Sequence, residues 1–146
     1  MAAAFDLKRR LFSASILPDE DSYGRVVRGK IIPKFSDYGE PSERQRRQRR
    51  DAAIISLVGP IAESRFTGLE ADEVGASGDR RQALELVEFM GFGSERQVLA
   101  FLDFLDVCAQ DLVEDRQELI EAIAGALVER GCLSPSLVRQ ICREGD

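Results

Sequence analysis

Residues 52–68 read AAIISLVGPIAESRFTG, a stretch whose first ten positions are apolar apart from Ser56. The segment before it is polar and begins at Ser42, which stands three residues before Gln45 in the spacing of a capping box. The pattern predicts one helical segment that starts at Ser42, runs through an arginine-rich run into the apolar stretch and is ended by Phe66-Thr-Gly68. The pair Gly59-Pro60 lies inside it and predicts a kink, or a division of the helix in two.

Apolar residues recur at helical spacing through the rest of the chain. Ser77 is the predicted N-cap of a helix that reaches Met90 and carries Asp79 in its first turn. A third helix follows Ser94, with its inward stripe predicted at Val98, Leu102, Leu105, Ala109 and Leu112. A fourth is predicted from about Asp115 to Arg130, with Gly131 as its stop and an inward set of Leu119, Ile120, Ile123, Leu127 and Val128. A short last helix is predicted with Ser134 as its cap and Pro135 at its first position.

The first 35 residues favour β-structure. Phe12–Leu17 alternates in polarity, and Tyr23–Val27 follows a Pro/Asp/Ser cluster, which predicts a hairpin with a longer loop. Lys30–Phe35 is predicted to add a short edge segment. The predicted fold class is therefore α+β, mainly α, with a small N-terminal β-hairpin layer packed on a helical bundle of about five helices. We predict a single domain over residues 1–146, with a β-hairpin region at 1–35 and a helical region at 42–146.

Composition limits the classes of partner. The chain has 146 residues and a formal net charge of −6, which disfavours general binding to phosphate backbones. It has no apolar run of the roughly 20 residues that span a bilayer, and residues 1–10 lack the pattern of a signal peptide. The prediction is a cytoplasmic protein without a membrane partner. Its three cysteines are predicted to be buried thiols.

Five arginines fall within residues 44–50. Such a run can bind RNA or phosphates, but it has no interleaved aromatic residues for base stacking, and its flanks are acidic. On a helix these arginines spread around most of the circumference. We therefore predict a solvated helix or a protein docking surface, and nucleic-acid binding is disfavoured.

Two segments together carry a family resemblance. They are Gly59-Pro-Ile-Ala-Glu63-Ser-Arg-Phe-Thr-Gly68 and Gly75-Ala-Ser-Gly-Asp79. The pair resembles the peptidase domain of the FtsH-type ATP-dependent zinc metalloproteases and their small stand-alone relatives. In that family an HExxH helix is followed by a β-hairpin, by a helix with a G-(R/P)-x-A-E-x-x-x-x-G pattern and by a GASND-type helix start. Ile16–Arg25 is similar to the hairpin, so the resemblance spans roughly residues 5 to 90.

The resemblance implies roles for two carboxylates. Asp79 matches the third zinc ligand of the family, although Gly78 replaces the more usual Asn. Glu63 matches a buried carboxylate that supports the zinc ligands. The chain contains no histidine, so the HExxH motif with its two zinc ligands and general-base Glu is absent. Complete family members bind zinc, but this chain is expected to bind none, to contain no catalytic residue and to be inactive by itself.

Two explanations of the missing motif stay open. In the first explanation, the natural reading frame extends upstream of Met1 and this chain is part of a zinc metallopeptidase. In the second, the histidines were lost and the chain is a non-catalytic protein-binding module, a pseudoenzyme with the same fold. The resemblance implies a protein or peptide substrate held by β-addition at the hairpin edge, and an ATPase motor supplied in trans, because the chain lacks a P-loop.

The two carboxylates also have simpler interpretations. An aspartate in a first helical turn complements the helix dipole, and Glu63 is equally consistent with an exposed residue paired with a neighbouring arginine. A third hypothesis is an unrelated helical protein whose local match is coincidental.

Overall fold

The computed structural model describes residues 11–17, 25–28, 40–69 and 77–144. In chain order their elements are β1 (Leu11–Ser15), β2 (Arg25–Arg28), α1 (Glu43–Thr67), α2 (Ser77–Glu88), α3 (Glu95–Asp115), α4 (Gln117–Arg130), β3 (Cys132–Leu133) and α5 (Pro135–Glu144). The predicted fold class, mainly helical with a small β part, is confirmed. The residues group into a central unit within positions 31–114 and a terminal unit within 1–30 and 115–146. A single domain over 1–146 stays a prediction.

Helix α1 is the long element of the central unit. Its start is the predicted capping box, in which the Ser42 hydroxyl accepts from the Gln45 amide and the Gln45 side chain accepts from the Ser42 amide. Its end is Gly68, whose φ of 71° lets its amide reach the Ser64 carbonyl. Pro60 does not divide the helix, which continues to Thr67. Gly59 has no Cβ to collide with the proline ring, and Pro60 is itself buried.

The core of the central unit is built by α1, α2 and α3. Its buried residues are Ala53, Leu57, Ala83, Val87, Met90, Val98, Leu102, Leu105 and Ala109. The next position of the α3 stripe is Val113, which is fully buried, whereas the predicted Leu112 is only partly buried. The prediction at Leu112 was wrong. Val113, four residues after Ala109, lies closer to the buried face of the helix than Leu112, which is three residues after it. Helix α2 begins at Ser77 and ends at Glu88, two residues before the predicted end.

The terminal unit contains a three-stranded sheet in the order β2-β1-β3. β1 pairs antiparallel with β2, which confirms the predicted hairpin strands, and the register places Ala14 opposite Val26. β3 pairs antiparallel with the other side of β1, with Ala14 opposite Leu133. This third strand was not predicted, because two residues are too few to show an alternating pattern. The predicted loop over 18–22 and edge segment Lys30–Phe35 lie outside the described residues.

Helices α4 and α5 and strand β3 form the apolar core of the terminal unit, with buried residues Leu119, Ile123, Leu133, Val138 and Cys142. Gly131 ends α4, and the Ser134 hydroxyl accepts from the Leu137 amide at the start of α5, as predicted. Val128 is 77% exposed, so its predicted inward position was wrong. It lies about 100° further around the helix than Leu127, beyond the buried stripe.

All three cysteines are among the described residues, and each is a thiol. Cys142 is fully buried and Cys108 is half-buried, whereas Cys132 is exposed. The prediction of three buried thiols was therefore wrong at Cys132. This residue lies in β3, where successive side chains point to opposite faces, and it is Leu133 that enters the core.

Candidate functional site

Asp79 lies where the sequence placed it, in the first turn of α2, and its side chain is exposed. No other described residue forms a hydrogen bond or an ion pair with its carboxylate. A carboxylate in a first helical turn interacts favourably with the positive end of the helix dipole. The position therefore suits the structural interpretation and also leaves the carboxylate open to a ligand.

Glu63 lies on the last two turns of α1 and is exposed, not buried. Its backbone carbonyl accepts a hydrogen bond of 2.7 Å from the Thr67 hydroxyl. Its carboxylate is not paired with the nearby Arg65, which instead forms a 3.0 Å ion pair with Glu114. Within the described part of the chain, the structure does not join Glu63 to Asp79.

The α1–α2 contact next to Asp79 is polar. The Ser56 hydroxyl lies 3.3 Å from Oε1 of Gln82, one turn after Asp79, and 3.2 Å from the Ala52 carbonyl. Among the described residues there is no group of three or more histidine, cysteine, aspartate or glutamate side chains that could hold a metal ion. Asp79 is therefore a single potential ligand at this place.

The arginine-rich run is not uniformly solvated. Arg49 is only 6% exposed; it donates to the backbone carbonyl of Phe89, and its guanidinium carbon lies 5.9 Å from the centre of the Phe89 ring. Arg44 and Arg47 are exposed, and Arg46 forms a 3.5 Å ion pair with Glu40. The prediction of a solvated helix was wrong for Arg49, because the α2 carbonyls near the helix end need hydrogen-bond donors and an arginine on α1 reaches one of them.

A groove lies at the turn between α2 and α3, and sequence reasoning missed it. Its volume is about 400 Å³. It is lined by Leu84 and Glu88 of α2, by Phe92, Gly93 and Ser94 of the turn, and by Glu95, Val98 and Leu99 of α3. Leu99 is 47% exposed and Val98 forms the buried floor. The sequence signal for this groove is Gly91-Phe-Gly93, which interrupts the helical pattern. It forms a turn between two helices and carries one large side chain.

A row of three aromatic rings extends from the same turn along α3. The Phe92 and Phe101 ring centres lie 5.1 Å apart, and those of Phe101 and Phe104 lie 5.9 Å apart. Phe104 is 55% exposed, and the neighbouring Val107 is 53% exposed. The three-residue spacing of Phe101 and Phe104 in the sequence is consistent with neighbouring positions on a helix. The row gives the central unit an exposed apolar surface.

No model of a known protein family matches the chain. No curated protein matches it either. Among the helices of the described residues, none is both long enough and apolar enough to cross a membrane.

Proposed function

We propose that this chain is a part of an FtsH-type zinc metallopeptidase domain and that it has no peptidase activity by itself. The observation that carries the proposal is the exposed carboxylate of Asp79 in the first turn of α2. The resemblance assigns the third zinc ligand to this position, and a ligand must be accessible to the metal. The packing of α2 against α1 through Ala83 and Val87 fixes the helix that carries it.

The residues of this chain do not by themselves fit a zinc site. A catalytic zinc ion takes three protein ligands and keeps one position open. The chain offers Asp79, and it contains no histidine. Two histidines would have to come from polypeptide outside this sequence. We therefore assign no catalytic step to the chain as it stands.

Substrate binding belongs to the same proposal. In the described sheet β2 is an outer strand, paired with β1. An outer strand can add an extended peptide through its backbone N–H and C=O groups. A protein or peptide substrate, with an ATPase motor in trans, is the partner set that the resemblance implies.

The test begins with the protein purified from its native cell. Intact mass and terminal peptide sequencing give its start, and metal analysis gives its zinc content. We expect a longer chain with HExxH and about one zinc ion per chain. Asp79→Ala should release the zinc, while Asp111→Ala, an exposed carboxylate on α3, should retain it. A native start at Met1, or full retention of zinc by Asp79→Ala, would contradict the proposal.

A second function is favoured by the aromatic row on α3. In this alternative the chain is a non-catalytic protein-binding module, and the exposed side chains of Phe104 and Val107 bind the partner. The test is a photo-crosslinking amino acid placed at position 104 in the native cell. A discrete adduct there supports the module, provided that the same group at Val128, exposed on α4, gives none. Identical adducts at both positions, or none at 104, would refute it.

A further inference from the structure

We propose that the groove between α2 and α3 binds an amphipathic helix of a partner protein that carries a leucine-type anchor flanked by lysine or arginine. This surface shares Phe92 with the aromatic row, but it includes neither Phe104 nor Val107, and it does not involve Asp79. The inference therefore goes beyond both proposed functions and does not depend on either.

The apolar lining determines the anchor. Leu84, Phe92, Val98 and Leu99 present apolar surface at a concave site of about 400 Å³. This volume falls within the range of about 300–1,000 Å³ that is typical of ligand pockets. Leu99 is 47% exposed, so an apolar group that covers it would remove apolar area from water. A leucine-type side chain on a helix meets this requirement, since helix-in-groove recognition uses anchors spaced by three or four residues.

The rim determines the charge of the partner. Glu88 lies on the α2 side and Glu95 on the α3 side, and both side chains are exposed. Within the described residues neither carboxylate has an ion-pair partner. Nearby acidic residues on the same two helices do: Glu85 pairs with Arg81, and Asp106 pairs with Arg80. Arg96 follows Glu95 in the chain but does not line the groove.

A bound partner would partly desolvate both rim carboxylates. Desolvation of an unpaired charge is costly, so a neutral or acidic helix would lose affinity there. Lysine or arginine beside the anchor would instead pair with Glu88 and Glu95. The chain's net charge of −6 adds long-range attraction for a basic partner. An apolar anchor with basic flanks is the chemistry that satisfies both the lining and the rim.

The test uses a fluorescein-labelled helical peptide of leucine and lysine, arranged with one apolar face, and fluorescence anisotropy with the full chain. We expect saturable binding that weakens with salt. Glu88→Gln/Glu95→Gln should weaken it about fivefold, since two exposed ion pairs are lost. Leu99→Lys should weaken it about tenfold or more, because it removes apolar surface and adds repulsion. Circular dichroism verifies that each variant is folded.

Matched controls separate the groove from general electrostatics. Glu118→Gln/Glu129→Gln removes the same charge from exposed positions on α4, and Val128→Lys repeats the Leu99 change on α4. Each should alter the affinity less than twofold. Equal weakening by the two glutamate pairs would overturn the proposal. So would equal binding of a leucine and glutamate peptide, or no saturable binding of the leucine and lysine peptide.

Discussion

The guanidinium of Arg49 donates a hydrogen bond to the backbone carbonyl of Phe89, 40 residues further along the chain. The contact joins α1 to the residue that follows α2, and it satisfies a carbonyl that lacks a partner within the helix. The guanidinium also lies over the Phe89 ring. One side chain thus anchors the end of α2 to α1.

We expect Arg49→Met to lower the free energy of unfolding by about 1.5–3 kcal/mol, the usual contribution of a hydrogen bond from a charged donor. Methionine keeps an apolar stem of similar length, so the change isolates the guanidinium. Arg47→Met, at an exposed position of the same helix, should stay within about 0.5 kcal/mol of the parent. Urea unfolding followed by circular dichroism measures both. Equal effects at the two positions would show that the Phe89 contact contributes no stability.

Gly131 should not tolerate a side chain. Its φ is 72°, and a Cβ there would lie 3.0 Å from Cδ2 of Leu17. We expect Gly131→Ala to cost about 1–2 kcal/mol from the left-handed backbone alone. Gly125→Ala is the matched control within α4, where a Cβ would meet nothing within 4 Å, and it should stabilise by about 0.5–1 kcal/mol. Thermal unfolding of both variants measures the difference, and a shift of the same sign in both would refute the strain at Gly131.

The exposed Cys132 and the fully buried Cys142 should differ in alkylation rate. Iodoacetamide should modify Cys132 in the folded protein, while Cys142 should react at least about 100-fold more slowly, because it becomes accessible only when its part of the structure opens. Peptide mass spectrometry at timed intervals gives the two rates. In urea the rates should converge. Comparable rates without denaturant would mean that Cys142 is not held in the core of the terminal unit.

The capping box at the start of α1 predicts a graded response at Ser42. Ser42→Ala removes the acceptor of the Gln45 amide and should cost about 1 kcal/mol. Ser42→Asp restores an acceptor and adds a negative charge near the helix dipole, so it should recover most of the loss. Urea unfolding measures the series: the midpoint concentrations give the differences in the free energy of unfolding, provided that its dependence on urea concentration is the same in all variants. If the alanine and aspartate variants were equally stable, the cap would not contribute to stability.

Local signals were sufficient to predict several of the helix ends, although α2 ends two residues before its predicted end and α4 begins at Gln117 and not at Asp115. The cap at Ser42, the stops at Gly68 and Gly131 and the proline at the start of α5 each depend on a few neighbouring residues, and the structure confirms them. Features that depend on distant residues were missed. The burial of Arg49 depends on where α2 ends, and β3 exists only because β1 is there to pair with it.

The candidate site follows the same division. The placement of Asp79 in a first helical turn was predicted correctly, because a helix start is a local property. The groove was not predicted, because it depends on how Leu84 of α2 and Leu99 of α3 come together across the turn. The sequence indicates only that a glycine-flanked phenylalanine breaks the helical pattern there. Concave surfaces between helices therefore require the packed structure.

The pairing of β1 with β3 has a consequence for synthesis. The Ser15 hydroxyl contacts the Gly131 carbonyl across 116 residues of sequence, and Leu133 pairs with Ala14. At a translation rate of about 5–20 residues per second, the synthesis of β3 follows that of β1 by roughly 5–25 s. All of the central unit leaves the ribosome during that interval. The terminal unit therefore completes last, and a stalled nascent chain would expose one side of β1 to any chaperone able to bind an unpaired strand.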